Sequence, residues 1–327
     1  MRSQSCNIIK TLGLSGLWIV HILCKEGFKM AKTAMEEMYE NLINRVEEIV
    51  KEKESPRLEA LAEALLQVES KGTFSDKRKA FQFAYLYQVK EEPVQSNHQL
   101  TPDAIGYLVA HIVDLFTDDN KKNLVDIGSG TGHLAMTIKE MVTDLNLSGI
   151  EVDPALAEIN ANLCEFLETP MYIHPQNVIE PSRIPMSNIA VGDLPVGYYP
   201  LPAEKYKTAF DAGQSYAHLL MLEAGMNLIE TDDIGIFVVP SNILEENNET
   251  IKQYISEDAT LLMFLNLPST IFKTEKQRKS LIVLKKGFSP LVNNEVLIGD
   301  VPDFKDASKM QEFVRQLNEW HEQYSRK

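Results

Sequence analysis

From Thr33 to Lys90 the apolar residues recur at helical spacing. Met35, Met38, Tyr39, Leu42, Val46, Ile49 and Val50 fall on one face with charges opposite, which predicts an amphipathic helix. Ser55-Pro56 breaks that helix and starts a second, where Leu58, Leu61, Ala62, Leu65 and Leu66 repeat the stripe. Ser75-Asp76 is expected to open a third, carrying Phe81, Ala84, Tyr85 and Tyr87. Together they predict a helical N-terminal domain over residues 30–95. Its aromatic stripe either packs helix to helix or faces a substrate, and burial is the commoner use of such a stripe. Glu91 to Asn97, polar and containing Pro93, reads as the linker.

Beyond the linker the period changes. Short apolar runs now alternate with helical stretches, the pattern of an α/β domain around a mostly parallel sheet. Runs at Leu124–Ile127, Leu147–Val152, Met171–His174 and up to Asp193 are separated by helices at Leu134–Met141 and Pro154–Leu167. Tyr216–Ile229 reads as a helix, and Ile234–Val239, Leu261–Leu267 and Leu281–Leu284 as the last strands. After Gly287 a connecting segment leads to one terminal helix, Ala307–Tyr324. The core is placed at residues 96–290 and the C-terminal segment and helix at 291–327.

Residues 1–29 differ from the rest. Leu12–Leu23 is too short an apolar run to span a bilayer, and no small-x-small cleavage site follows it. Lys25-Glu26-Gly27 can be encoded by a bacterial ribosome-binding sequence just upstream of the Met30 codon. The expectation is a non-native leader, with translation starting at Met30.

Length and charge narrow the function. The 327 residues have the composition of an ordinary folded protein, read as cytoplasmic and bacterial in type, with no membrane association. A net charge of −15 argues against a nonspecific nucleic-acid binder, though not against a local basic groove. Cys6 and Cys24 lie in the leader, which leaves Cys164 as a core residue. No histidine or cysteine spacing predicts a metal site.

The chemistry centres on NLVDIGSGTGHLA, Asn123 to Ala135. A strand breaks at Gly128, Gly130 and Gly132 and runs into a helix, so free N–H groups and a positive helix end face a ligand at the strand's carboxyl edge. The spacing Gly-x-Gly-x-Gly is not that of a dinucleotide site, and Asp126 before it would repel a pyrophosphate. Asp126 suits a cationic or hydroxyl-bearing ligand. Glu151 ends the next strand about twenty residues on, where an acid can bind both ribose hydroxyls.

Here the chain resembles the class I S-adenosylmethionine-dependent methyltransferases, whose first motif reads like DIGSGTG and whose second ends in an acid like Glu151. The resemblance implies a Rossmann-like α/β fold: a mostly parallel seven-stranded sheet, its last strand antiparallel, with helices on both faces. It implies S-adenosylmethionine as cofactor and adds Val152, beside Glu151, to the cofactor-binding set. Thr101-Pro102-Asp103 is a plain helix start, with Thr as N-cap and Pro first in the helix. It also resembles the Phe-Thr-Pro segment of N6-adenine DNA methyltransferases, particularly type I restriction modification subunits, in which the threonine covers the cofactor's methionine end. Leu100 replaces the aromatic. Asn177 takes the place of an acid that bonds the cofactor's adenine amino group.

GDLPVGYYP resembles the fourth motif of that family, Asp/Asn-Pro-Pro-aromatic, at Asp193 and Pro195, and departs at Leu194 and Val196. An amine whose two hydrogens are accepted by the Asp193 carboxylate and the Leu194 carbonyl has its lone pair directed at a methyl donor. Val196 cannot stack on a flipped base, so Tyr198 or Tyr199 is expected to swing in; otherwise the loop simply closes the sheet edge. The basic cluster Lys273, Lys276, Arg278 and Lys279 is a candidate phosphate contact or a solvated hairpin loop.

The reading is therefore an exocyclic-amine methyltransferase, with adenine in nucleic acid as the favoured acceptor. A non-catalytic cofactor-binding module, or an enzyme acting on a protein glutamine or another amine, stays open. No target-recognition domain fits the tail, which leaves a separate specificity subunit or a homodimer as possible partners.

Overall fold

The computed structural model describes residues 32–326 except 96–97, 119, 181–182, 211–213, 246–248 and 289–295. The expected leader, residues 1–29, and the end of the expected linker, Ser96 and Asn97, lie outside the described residues.

Three helices come first: α1 (Ala34–Lys53), α2 (Arg57–Gln67) and α3 (Phe74–Glu91). Thr33 and Glu36 form a capping box on α1, whose buried stripe is Met38, Leu42, Val46 and Ile49. The third helix starts before the expected Ser75-Asp76. Thr73 is its cap, and Asp76 returns the bond as the N3 partner. Serine and aspartate both favour caps; a threonine placed three residues before an acid satisfies two backbone N–H groups at once.

The α/β region follows as α4 (Asp103–Phe116), β1 (Asn123–Ile127), α5 (His133–Met141), β2 (Asn146–Ile150), α6 (Pro154–Phe166), β3 (Met171–His174) and β4 (Ser187–Asp193). It continues through α7 (Ala217–Asn227), β5 (Ile229–Pro240), α8 (Glu249–Glu257), β6 (Ala259–Asn266), β7 (Lys279–Lys286), β8 (Leu297–Asp300) and α9 (Ala307–Ser325). The strand order is β3-β2-β1-β4-β5-β7-β6-β8. Among the strands of the described residues, only β7 runs antiparallel to its neighbours.

This is the expected mostly parallel sheet with one strand added. β8 pairs with β6 at the edge, where a connecting segment was expected. Its four residues alternate between half-buried and exposed, too short a run for a period of two to stand out. Strand order reverses between β1 and β4, and that switch point sets a crevice at their carboxyl ends.

Successive residues of β1 serve opposite faces. Leu124 joins a core shared with the N-terminal helices, α4, α5 and α6, whereas Val125 and Ile127 join the core under α7 and α8. The buried residues of α1 to α3 are thus continuous with one face of the sheet. The terminal helix returns to α4, where His111 Nε2 lies 2.9 Å from Asn318 Oδ1 and Phe116 meets His321 edge-on. Cys164 is buried in this core, and burial pushes its thiol up to about 11.

Candidate active site

A cleft of about 540 Å³ opens at the switch point. Thr101, Asp126, Gly128, Gly130, Asp193, Pro195, Lys273, Lys276 and Lys279 all line it. Residues from four separated stretches of sequence thereby meet in one place.

The glycine turn forms its floor. Gly128, Gly130 and Gly132 have φ of 67°, 53° and 78°, where a side chain would be strained. At Gly132 a Cβ would also lie 2.2 Å from Asn160 Oδ1, so the helix α6 needs this glycine for its approach. Glu151 braces the turn from behind. Its two carboxylate oxygens accept the N–H groups of Gly130 (2.7 Å) and Asp153 (2.8 Å).

Asp126 is 1 % exposed, and neither of its carboxylate oxygens has a hydrogen-bond partner among the described residues. Burial holds its carboxyl well above the usual carboxylate range, and the nearby charges of Glu151 and Asp193 add to this. The Ala135 backbone N–H pulls the other way without completing a hydrogen bond. A buried acid left this way is costly unless something bonds to it. Thr131 Oγ1 and His133 Nδ1, of residues that also line the cleft, are likewise buried without partners among the described residues.

Opposite the turn stands the end of β4. Thr101 donates its hydroxyl to Asp193 Oδ2 at 2.9 Å. This corrects the expected capping role: Pro102 holds the N-cap position of α4, and no side chain caps that helix. The threonine hydroxyl has a carboxylate to serve instead. Asp193 Oδ1 accepts from the Lys279 ammonium, which also lies 3.2 Å from the Leu194 carbonyl oxygen. Sheet register explains the meeting, because Asp193 pairs with Val238 on β5 and Lys279 with Pro240 two residues further along.

The other expected residues divide. Lys273 and Lys276 line the mouth and make no ion pair among the described residues. Arg278 turns away to Glu275 at 3.0 Å. Tyr199 is buried rather than substrate-facing, its hydroxyl accepting from Asn177 Nδ2 at 2.8 Å. Asn177 Oδ1 accepts the Ile179 N–H in an Asx turn, outside the cleft lining. Tyr198 is 58 % exposed and stacks on Tyr216, with ring centroids 4.8 Å apart. Val196 lines the cleft rim, whereas Val152 is exposed away from it.

Three polar residues escaped the sequence reading. Arg78 on α3 is fully buried and bonds Glu140, Asp103, Thr137 and Tyr107. Its place three residues before Phe81, on the apolar stripe, was the available signal. His133 immediately follows the third glycine, and burial lowers its imidazole to about 3, with Arg78 and Lys79 adding to the effect. His218 on α7 is buried beside Tyr216, and its imidazole is lowered to about 4 by burial and then by the Lys279 charge. Among the described residues no cluster suits a metal ion, and no helix is long and apolar enough to cross a membrane.

A solved Listeria monocytogenes protein, provisionally described as a class I S-adenosylmethionine-dependent methyltransferase, superposes with a TM-score of 0.80 at 25 % identity. The match covers 88 % of this chain and 99 % of that one. The fold is that of the class I S-adenosylmethionine-dependent methyltransferases. A type I restriction-modification methyltransferase subunit from Streptococcus thermophilus shares this class I fold at a TM-score of 0.64 and 14 % identity, over 96 % of this chain and 80 % of that one. In sequence, the uncharacterized protein YtxK of Bacillus subtilis is 29 % identical over 267 residues, 79 % of this chain and 81 % of its own. Residues 41–177 match the protein-L-isoaspartate(D-aspartate) O-methyltransferase family. That match takes in the glycine turn and Glu151 but ends before β4, so Asp193 and Lys279 lie outside it.

Proposed function

We propose that the protein is an S-adenosylmethionine-dependent methyltransferase acting on an amine, with an adenine base in nucleic acid as the favoured acceptor. The observation that carries this reading is that Asp193 Oδ1 and the Leu194 carbonyl converge on a single nitrogen, that of Lys279. Two acceptors meeting at one nitrogen are what an acceptor amine needs.

The residues around the glycine turn fit the cofactor. Asp126 offers two unpaired buried acceptors to an ammonium group, while Gly128 and Gly130 let its backbone approach. Glu151, braced on Gly130, keeps further lone pairs for ribose hydroxyls. When bound, the cofactor supplies an electrophilic methyl group. This chain's part is positioning. Asp193 and Leu194 accept the two amine hydrogens, Thr101 fixes the Asp193 carboxylate, and Pro195 stiffens the turn that carries it.

Nucleic acid is supported by the type I subunit's fold and by Lys273 and Lys276 at the cleft mouth. A second reading draws on Lys279 itself. Because this lysine fills the acceptor pair and Val196 replaces the stacking aromatic, a module that binds the cofactor without transferring its methyl is the alternative. Incubation with S-adenosylmethionine carrying a labelled methyl, DNA and host protein decides between them. Label in DNA supports the favoured reading, label in protein moves the acceptor, and cofactor binding without label leaves the module.

A further inference from the structure

Arg78 crosses from the N-terminal helices to the start of α5, where its Nη1 lies 3.1 Å from His133 Nε2. A guanidinium has no lone pair to offer and stays charged at any working pH. Nε2 must therefore be the accepting nitrogen, and the neutral ring carries its proton on Nδ1. Asp103 Oδ1 is 3.5 Å from Nε2, but it already accepts from Arg78 Nη1 at 2.9 Å and Gln82 Nε2 at 3.0 Å. The Nδ1–H donor is buried, has no partner among the described residues, and belongs to a side chain lining the cleft. It shares that wall with the unpaired Thr131 hydroxyl and the unpaired Asp126 carboxyl.

A donor pair and an acceptor pair on one wall are the complement of a zwitterion. We propose that His133 Nδ1–H and the Thr131 hydroxyl bind the carboxylate of the cofactor's amino-acid end, and that Arg78 is the positioning residue that fixes the histidine tautomer. The inference rests on the cofactor reading above. It gives the N-terminal helices a part in ligand recognition, because α3 supplies the group that sets the donor. Burial and the charges of Arg78 and Lys79 keep the ring neutral down to about pH 3. The donor therefore persists across the working range, with Asp103, Glu140 and Tyr107 meeting the positive charge on its far side.

Calorimetry on the full chain tests this with two probes, S-adenosylmethionine and its decarboxylated form, which keeps the ammonium and lacks the carboxylate. His133→Ala is expected to weaken binding of the first by roughly 10- to 100-fold, the value of a charge-assisted bond, and to leave the second unchanged. His133→Asn, whose amide can donate from near the Nδ1 position, is expected to recover most of the loss. Nitrogen NMR of the parent is expected to show the Nδ1–H tautomer, and Arg78→Met to mix the two tautomers. Should Arg78→Met fail to fold, the His133 pair carries the test alone. Equal loss for both probes, or an Nε2–H tautomer in the parent, overturns the inference while leaving the cofactor reading intact. If the parent binds neither probe, that earlier reading has failed.

Discussion

The ammonium of Lys279 rests on the Asp193 carboxylate and lies 3.2 Å from the carbonyl oxygen of Leu194. Under the proposed function an acceptor amine takes that place, which requires Lys279 to leave it. Replacing Lys279 with Met is expected to lower KM for the amine acceptor by about tenfold, roughly 1.4 kcal/mol, with cofactor affinity unchanged. Steady-state kinetics with the labelled acceptor checks this. A fall in kcat as large as that of Asp193→Ala would instead place Lys279 in the transfer step.

Asp126 is a buried, unpartnered acid that costs the fold stability. Its folded carboxyl is held above the unfolded value, so the ligand-free fold favours the protonated acid. Stability is then lost as pH rises from the ordinary carboxylate range through the raised folded value, and it levels off above. Asp126→Asn removes this loss. The variant is expected to be more stable than the parent at neutral pH by about 1–3 kcal/mol, with the gap closing toward acid, and to bind S-adenosylmethionine more weakly. Thermal unfolding across pH, with and without cofactor, reads both effects.

Arg78 holds together three helices, α3, α4 and α5, through a fully buried charge. Its removal takes a guanidinium donor from both Asp103 and Glu140. Arg78→Met is expected to cost about 3–5 kcal/mol in denaturant unfolding, the usual consequence of breaking a buried ion pair from one side. A cost below about 1 kcal/mol would show that the network relaxes or hydrates freely.

The cleft mouth divides the four basic residues. Reversing Lys273 and Lys276 to Glu is expected to reduce the slope of log affinity for duplex DNA against log salt by about 0.9 for each phosphate that is no longer neutralised. Reversing Arg278, which faces Glu275, is expected to leave the slope alone. Slopes measured by fluorescence anisotropy over a salt series separate these outcomes, and an unchanged slope in the double variant would favour an acceptor other than nucleic acid.

The glycine turn and the end of β4 were legible because their chemistry is written in short local runs. Gly128, Gly130 and Gly132 announce a turn by their need for positive φ, and Asp193 follows an apolar strand. The sheet was legible for the same reason, since buried parallel strands are continuous apolar runs. β8 was not, because its alternation over four residues is too short to stand out. Lys279 read as a phosphate contact or as part of a solvated loop, and only sheet register brings it across β5 to Asp193. Arg78 and His133 lie 55 residues apart, and nothing local marks their meeting. Asn177 was expected at the cofactor's adenine and Tyr198 or Tyr199 against a flipped base; the hydrogen bond between Asn177 and the Tyr199 hydroxyl joins positions 22 residues apart, which no local run records.

Amine methylation at Asp193 is tested by comparing methyl transfer by the parent and by Asp193→Ala. S-adenosylmethionine with a labelled methyl is incubated with either protein and with DNA or host protein, and its affinity for each is measured in parallel. Label is expected in an amine-bearing acceptor with the parent. That label is expected to be lost in Asp193→Ala at nearly unchanged cofactor affinity, as for an interaction used mainly in the transition state. Transfer that persists in Asp193→Ala would rule out Asp193 as the group that accepts the amine hydrogen.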